Sequence, residues 1–422
     1  MSSKGTGAVP GEHDQSGGLM PTLRFSEFLG QPLQDVRLGD VTEEATTRNG
    51  NKLARALVMG VRKEGGIVPM EERLVSGDIA RYKKVRKNWF AYNPMRLNIG
   101  SIARWQGDEE VLVSPDYVVF RCLARSNSAS ILPEYLDHFR SSTQWDAFTN
   151  ESGDGGVRIR IYYRDIARMR LLLPSVSEQH KIADCLSSID ALIAAEADRL
   201  EALKAHKRGL MQQLFPAPGE TTPRLRFPEF KEAGEWEVKT IGNSSKSFSG
   251  GTPSTANLDY YGGGIPFIRS GEIDAIEAQL TITIQGIENS SAKMVDVGDV
   301  LIAMYGANSG KAAISKISGA INQAILCLRH ETNNEFLYQY WCSRQEWVTA
   351  RYLQGGQGNL SADIIKSVPI PTPHQVEQAK IAHCLSAMDR SVDAQRERLA
   401  TLKAHKSGLV QQLFPAIDEV SA

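Results

Sequence analysis

Only five cysteines, Cys122, Cys185, Cys327, Cys342 and Cys384, occur in 422 residues, and no two of them form a C-x-x-C pair. An odd, scattered set of this kind excludes a disulfide framework and a zinc knuckle, and it suits a reducing compartment. No apolar run reaches the roughly 18 residues of a membrane span. The N-terminus also has no charged-then-apolar signal pattern, so the expected location is the cytoplasm. Charge of one sign is missing as well: the net charge is −1. That value gives no global pull on a polyanion, so any nucleic-acid binding must rest on local clusters. The opening stretch, Met1 to Gly18, is polar and rich in Gly and Ser, without periodic apolar positions. It cannot bury enough surface to offset its ordering entropy and is expected to be a disordered tail.

Catalytic signatures are equally scarce. Gly306 to Lys311 spaces its glycines as G-x-x-x-G-K, one residue short of a phosphate-binding loop, and Ala312 stands where a magnesium-binding hydroxyl belongs. Asn93-Pro94-Met95 lacks the second proline and the aromatic of the amino-methyltransferase motif, and no glycine-rich cofactor loop follows a strand. Gly355-Gly356-Gln357-Gly358 is a turn of low specificity. Nucleotide binding and catalytic methylation by this chain are therefore not expected.

What the sequence does contain is a repeat. Pro174 to Ala217 aligns without gaps with Pro373 to Ala416, and 26 of the 44 positions are identical. A shorter match begins each half: Pro21-Thr22-Leu23-Arg24-Phe25-Ser26-Glu27-Phe28 returns as Pro223-Arg224-Leu225-Arg226-Phe227-Pro228-Glu229-Phe230. Such a long period rules out a solenoid and leaves one unit written twice.

The constant segments read as long helices. Ile182, Leu186, Ile189, Ile193, Glu196, Leu200, Leu203, Lys207, Leu210 and Leu214 follow steps of four and three along one coiled-coil seam, as do Ile381, Leu385, Met388, Val392, Gln395, Leu399, Leu402, Lys406, Leu409 and Leu413. Ser175 with Glu178 forms a capping box, and Pro216 and Pro415 end the helices. Two matched helices, each following a globular part, pair most economically with each other in antiparallel fashion. Glu196 and Gln395 interrupt the seam and either face one another there or are partly exposed.

Between these helices, residues 33 to 173 and 235 to 372 carry short apolar runs broken by Gly, Asn, Asp and Pro, the pattern of short strands. Leu132 to Phe148 and Glu335 to Tyr352 are their most helical parts. In the first domain Arg81, Lys83, Lys84, Arg86 and Lys87 cluster, and Arg158 and Arg160 alternate within an expected strand. Tyr92-Asn93-Pro94-Met95-Arg96-Leu97-Asn98 adds an aromatic, amides and a cation. Tyr305-Gly306-Ala307-Asn308-Ser309-Gly310-Lys311 is its counterpart in the second domain. Arginine forks to guanine or clamps phosphate, and asparagine pairs with adenine. The candidate DNA-contacting residues are therefore Arg81, Lys83, Lys84, Tyr92, Asn93, Arg96, Asn98, Arg158, Arg160, Arg269, Tyr305, Asn308, Ser309, Lys311 and Asn359. On the helices Gln179, Lys181, His206, Lys207, Gln378, Lys380, His405 and Lys406 recur at repeat-equivalent positions and are the candidate partner-binding residues.

The whole arrangement resembles the specificity subunit of type I restriction-modification systems. The marks are Pro-x-x-x-Glu-Gln-x-Lys-Ile-Ala at Pro174 and Pro373, the Gln-Gln-Leu-Phe endings, Gly250-Gly251-Thr252-Pro253-Ser254, Gly263-Gly264-Ile265-Pro266, Gly298-Asp299-Val300-Leu301 and Gly358-Asn359-Leu360-Ser361. Tyr92 to Arg96 with Ser114 to Phe120 resembles another branch of the same recognition domain. The first domain lacks the Gly-Gly-Thr-Pro-Ser turn.

The resemblance implies an α+β fold: two globular mixed α/β target-recognition domains separated by two long helices in an antiparallel coiled coil, with a pseudo-two-fold internal repeat. The expected divisions are a tail at 1–20, recognition domains at 21–173 and 217–372, spacer helices at 174–216 and 373–416, and a tail at 417–422. Each domain would read half of an asymmetric bipartite sequence in double-stranded DNA. The helices would space the halves and dock two methyltransferase subunits, through which restriction and translocase subunits join. No cofactor is expected in this chain; S-adenosylmethionine, ATP and magnesium would belong to partner subunits.

Overall fold

The computed structural model describes residues 8–10, 21–123, 129–151, 160–352 and 359–414. The chain divides into two compact units, one formed by residues 1–195 with 399–422 and the other by residues 196–398.

In the first unit β1 (Thr42–Glu44), β2 (Phe90–Tyr92), β3 (Ile102–Arg104) and β4 (Val118–Cys122) form an antiparallel sheet of order β1-β4-β2-β3. The alternation of side chains along β2 divides it between two cores. Phe90 and Tyr92 join a core with Phe120 and the helix Pro133–Phe139, whereas Ala91 faces a second core with Val85, Val113 and Val119. A strand covered on both faces reads as a continuous apolar run, which is why periodicity alone could not show which face met solvent. Residues 160–162 lie outside any strand, so Arg160 does not sit on the strand expected there. Arg158 lies outside the described residues.

The second unit repeats the design. The helix α1 (Val176–Leu214) runs on from the first unit, and β5 (Ser245–Ser249), β6 (Val300–Ala303), β7 (Ala312–Ile314) and β8 (Ile325–His330) form a sheet of order β5-β8-β6-β7. Val300 and Ile302 point to one core, Leu301 and Ala303 to another. In each unit the strand just before a long helix pairs with a strand near the start of its domain: Arg170–Leu173 with Gln34–Arg37, and Pro369–Thr372 with Glu237–Thr240. The second long helix is α2 (Gln375–Leu413).

Both long helices have 39 residues, or about 58 Å at 1.5 Å per residue. Ser175 Oγ accepts the Glu178 N–H at 3.3 Å. The Glu178 carboxylate does not return the bond but pairs with Arg24, so only half of the expected capping box forms. The helices run antiparallel within each unit. In the first, Ile182 and Leu186 of α1 pack with Val410 and Leu413 of α2; in the second, Met211 and Leu214 pack with Ile381 and Leu385. Glu196 and Gln395 do face one another: Gln395 Nε2 donates to Glu196 Oε2 at 2.6 Å and to its backbone O at 2.9 Å. Arg398 Nε contacts the other carboxylate oxygen at 2.8 Å. A buried polar pair of this kind fits one register and penalises others.

The two repeated motifs hold each other. Arg24 pairs with both oxygens of Glu178 at 2.7 Å, and Arg226 does the same with Glu377 at 2.7 Å. Lys181 pairs with Glu27 while lying 4.8 Å from the Phe25 ring centre, and Lys380 pairs with Glu229 at 5.1 Å from Phe227. The Leu-Phe endings are anchors of the same kind. Phe414 packs edge-on against Tyr135 and Phe139 in the first unit, and Phe215 packs against Phe336 and Tyr340 in the second. Ala8–Pro10, within the segment expected to be a disordered tail, pairs with Leu23–Phe25.

Candidate nucleic-acid interface

The loop from β2 to β3 and the turn from β6 to β7 occupy the same place in sheets of the same order. Each is held by the segment that precedes a short helix. In the first unit Ile161 N–H donates to Pro94 O at 3.0 Å; in the second Leu360 N–H donates to Met304 O at 2.8 Å. Arg160 and Asn359 therefore stand at equivalent points beside equivalent loops. The sequence singled out both loops and both flanking residues without showing that they touch.

In the first unit Asn93 Oδ1 accepts the Met95 N–H at 3.0 Å, an Asx turn that starts the loop, and buried Leu97 anchors it. Arg96 and Arg160 are exposed and Asn98 is half-buried. None of the three has a side-chain hydrogen bond or ion pair among the described residues. Tyr162, 40% exposed with Arg164 stacked 5.6 Å from its ring centre, adds an aromatic and a cation at the same edge. Those two were missed because Tyr162 and Arg164 carry no repeat-equivalent signal.

The second turn is built by its glycines. Gly306 (φ +76°) and Gly310 (φ +87°) occupy the left-handed region, and a Cβ on Gly310 would lie 2.7 Å from Thr349 Cγ2. Trp341 Nε1 donates to Gly310 O at 2.8 Å. Ser309 Oγ donates to Met304 O at 2.8 Å and accepts the Leu360 N–H at 3.2 Å, while Asn359 Oδ1 accepts the Gly306 N–H at 3.3 Å. Ser309 and Asn359 thus shape the turn, leaving Tyr305 and Asn308 exposed at its tip. Lys311 bonds Asp274 at 2.9 Å and holds that carboxyl below its ordinary range. Arg269 pairs with Glu272 and reaches Gln279 at 2.7 Å. The Gly250 turn, by contrast, is dictated by packing: a Cβ there would lie 1.8 Å from Ile321 O.

Several of the remaining candidates are turned inward. Tyr92 is fully enclosed, edge-on to Phe120 at 6.2 Å, and its hydroxyl has no hydrogen-bond partner. Lys83 is buried and donates to Tyr117 O at 2.7 Å; burial lowers its pKa, partly offset by Glu44. Lys84 and Arg86 share Glu110, and Lys87 pairs with Asp108. Lys84, Arg86 and Lys87 are therefore ion-paired with acids more than twenty residues away. Arg81 stays exposed, its carbonyl accepting from Arg48 at 2.6 Å, so Arg48 joins it as a cation the sequence did not single out.

On the helices Gln179 donates to Ser130 O at 2.9 Å and Pro174 O at 3.0 Å and accepts the Leu132 N–H at 2.9 Å. Gln378 donates to Pro373 O at 2.8 Å and accepts from Thr332 at 2.6 Å. Both glutamines dock their own helix to its domain. Lys181, Lys380, Lys207 and Lys406 are engaged in ion pairs within the chain. His206 and His405 remain exposed. No His, Cys, Asp and Glu group able to hold a metal ion occurs among the described residues, and none of their helices is long and apolar enough to cross a membrane.

Residues 233–404 match the family model described as the type I restriction modification DNA specificity domain. The chain is 26% identical over 354 residues to the putative type I restriction enzyme MjaX specificity subunit of Methanocaldococcus jannaschii, covering 81% of each chain. It is 27% identical over 238 residues to the EcoR124I/EcoR124II specificity subunit of Escherichia coli, covering 53% of this chain and 55% of that one. A chain from a solved structure on complex assembly and conformational transition of the type I R-M system superposes with a TM-score of 0.58 at 18% identity, covering 91% of this chain and 98% of that chain.

Proposed function

The chain belongs to the specificity subunits of type I restriction-modification enzymes, non-catalytic proteins that recognise a DNA sequence, and from that premise we propose that its two domains each read one half of a split, asymmetric target. The observation that supports this is the repeated junction. Two domains of divergent sequence present the same hairpin tip beside the same helix-entry segment, with Arg96 and Arg160 in one and Tyr305, Asn308 and Asn359 in the other. The same scaffold carrying different side chains suits two different half-sites, because base edges are read by side-chain type.

In this reading the paired helices hold the half-sites at one spacing. Their remaining exposed faces, which include His206 and His405, dock two methyltransferase subunits. S-adenosylmethionine, ATP and magnesium are then bound by the methyltransferase and restriction subunits.

Replacing both Arg96 and Arg160 with alanine, in the chain assembled with its methyltransferase, tests the contact surface by DNA titration at several salt concentrations. Each lost phosphate contact lowers the slope of log affinity on log salt by about 0.9. The double variant is therefore expected to bind more weakly with a slope reduced by about two. Lys84→Ala, whose ammonium is already held by Glu110, should leave the slope unchanged. A double variant that binds as the parent does, with the same slope, would remove this surface from the interface.

A further inference from the structure

Three segments of the chain converge on one carboxylate in the second unit, and two do so at the repeat-equivalent carboxylate of the first. In the second unit Gln339, on the domain helix Asn334–Tyr352, donates from Nε2 to Asp389 Oδ2 of α2 at 2.7 Å, and Lys207 of α1 reaches Asp389 Oδ1 at 2.5 Å. In the first, Asp190 of α1 receives Lys406 of α2 at 2.6 and 2.7 Å, while His138 of the domain helix Pro133–Phe139 stands 3.8 Å from Asp190, beyond hydrogen-bond reach, and bonds Ser187 of α1 at 3.0 Å. Asp190 and Asp389 are repeat-equivalent, as are Lys207 and Lys406. His138 and Gln339 each lie four residues beyond a glutamate, Glu134 or Glu335, in their domain helices.

The domain helix meets the long helices through an apolar core in which Phe336, Leu337 and Tyr340 join Leu214 of α1 and Ile381 and Leu385 of α2. Apolar burial is non-directional, so packing of this sort resists separation better than it resists a small rotation. A hydrogen-bonded carboxylate fixes an angle. Thr332 with Gln378 and Ser386 with Glu335 tie the domain to α2; Asp389 brings α1 into the same joint. Gln339 keeps this bond although its Oε1 is buried without a hydrogen-bond partner. That orphan acceptor carries a penalty which an apolar residue would avoid.

We propose that Asp389 is a positioning residue: it fixes the angle of the second recognition domain on the helix pair and so sharpens the half-site spacing that the protein accepts. The spacing part rests on the split-target reading above.

The test is adenine methylation by the full chain assembled with its methyltransferase, on a DNA library carrying both half-sites at every separation. The variants are Asp389→Ala and the exchanged pair Asp389→Lys with Lys207→Asp, in which the Gln339 amide can turn its oxygen to the new ammonium. Misplacing reacting groups by a fraction of a helix turn changes rates steeply, so Asp389→Ala should raise relative methylation at neighbouring separations about tenfold with both half-sites unchanged. The exchanged pair should narrow the profile again. A folded Asp389→Ala that keeps the parent profile, or that loses methylation evenly at all separations, overturns the proposal. If that variant does not fold, the exchanged pair decides, and its failure to give the parent profile overturns the assignment. A parent protein with no preferred separation would overturn the split-target reading together with this one, whereas a sharp parent profile with an unchanged variant overturns this one alone.

Discussion

Replacing Arg24 with alanine should cost the folded protein about 3–5 kcal/mol, the range for stranding one member of a buried ion pair. Arg24 and Glu178 are 2% and 1% exposed, so the carboxylate left behind has no route to water. Arg24 also donates from Nη1 to Gln31 O at 2.7 Å, and the change removes that bond too. The loss should appear as an earlier unfolding midpoint in urea, read from probes in the first unit, because a protein with two compact units need not unfold in one step. Removing both charges together, Arg24→Met with Glu178→Leu, should be far milder, since desolvation is then relieved along with attraction. Arg226, 9% exposed against Glu377, should behave in the same direction with a smaller loss. A loss below about 1 kcal/mol for Arg24→Ala would mean that water reaches Glu178.

The second large effect is on DNA. If the helices set the separation of the half-sites, lengthening both should lengthen the spacer. Four residues inserted between Ala195 and Glu196 and four more between Arg398 and Leu399 enter where each helix passes from one compact unit to the other. They leave the Glu196–Gln395 pair together on one side. Four residues add about 6 Å, slightly more than one helical turn, so the seam stays nearly in phase. At 3.4 Å per base pair the recognised spacer should grow by one or two base pairs, with both half-sites unchanged. An active, folded variant that still methylates at the original spacing would show that something other than the helices fixes the distance.

The repeat made the architecture legible. A seam of four-and-three steps written twice implied two long helices, and the break at Glu196 and Gln395 marked where they meet. What the repeat could not reveal was its cause. Gln179, Lys181, Lys207 and their equivalents are engaged within the chain itself, and recurrence through internal packing looks the same in sequence as recurrence through a shared partner. Arg24 and Glu178 were both visible as repeated residues, yet 154 positions separate them and nothing local joined them. The acids paired with the basic run at Lys83 to Lys87 were hidden for a related reason: Asp108 and Glu110 arrive beside a strand pairing that only the fold creates. Tyr92 looked like an aromatic beside a loop, but β2 is covered on both faces and its ring is core. The loop residues fared better, because glycine, asparagine and serine at a hairpin tip declare a turn in sequence before any tertiary contact is known.

Each domain is proposed to read its own half of the target. The most direct test of this is the genome-wide pattern of adenine methylation in cells that express the chain with its methyltransferase, compared with cells whose chain has residues 235–372 replaced by the corresponding domain of a relative. A split motif is expected in the first case and, in the second, a motif with one half replaced while the other half and the spacer stay as they were. A contiguous motif, or an exchange that alters both halves at once, would contradict it.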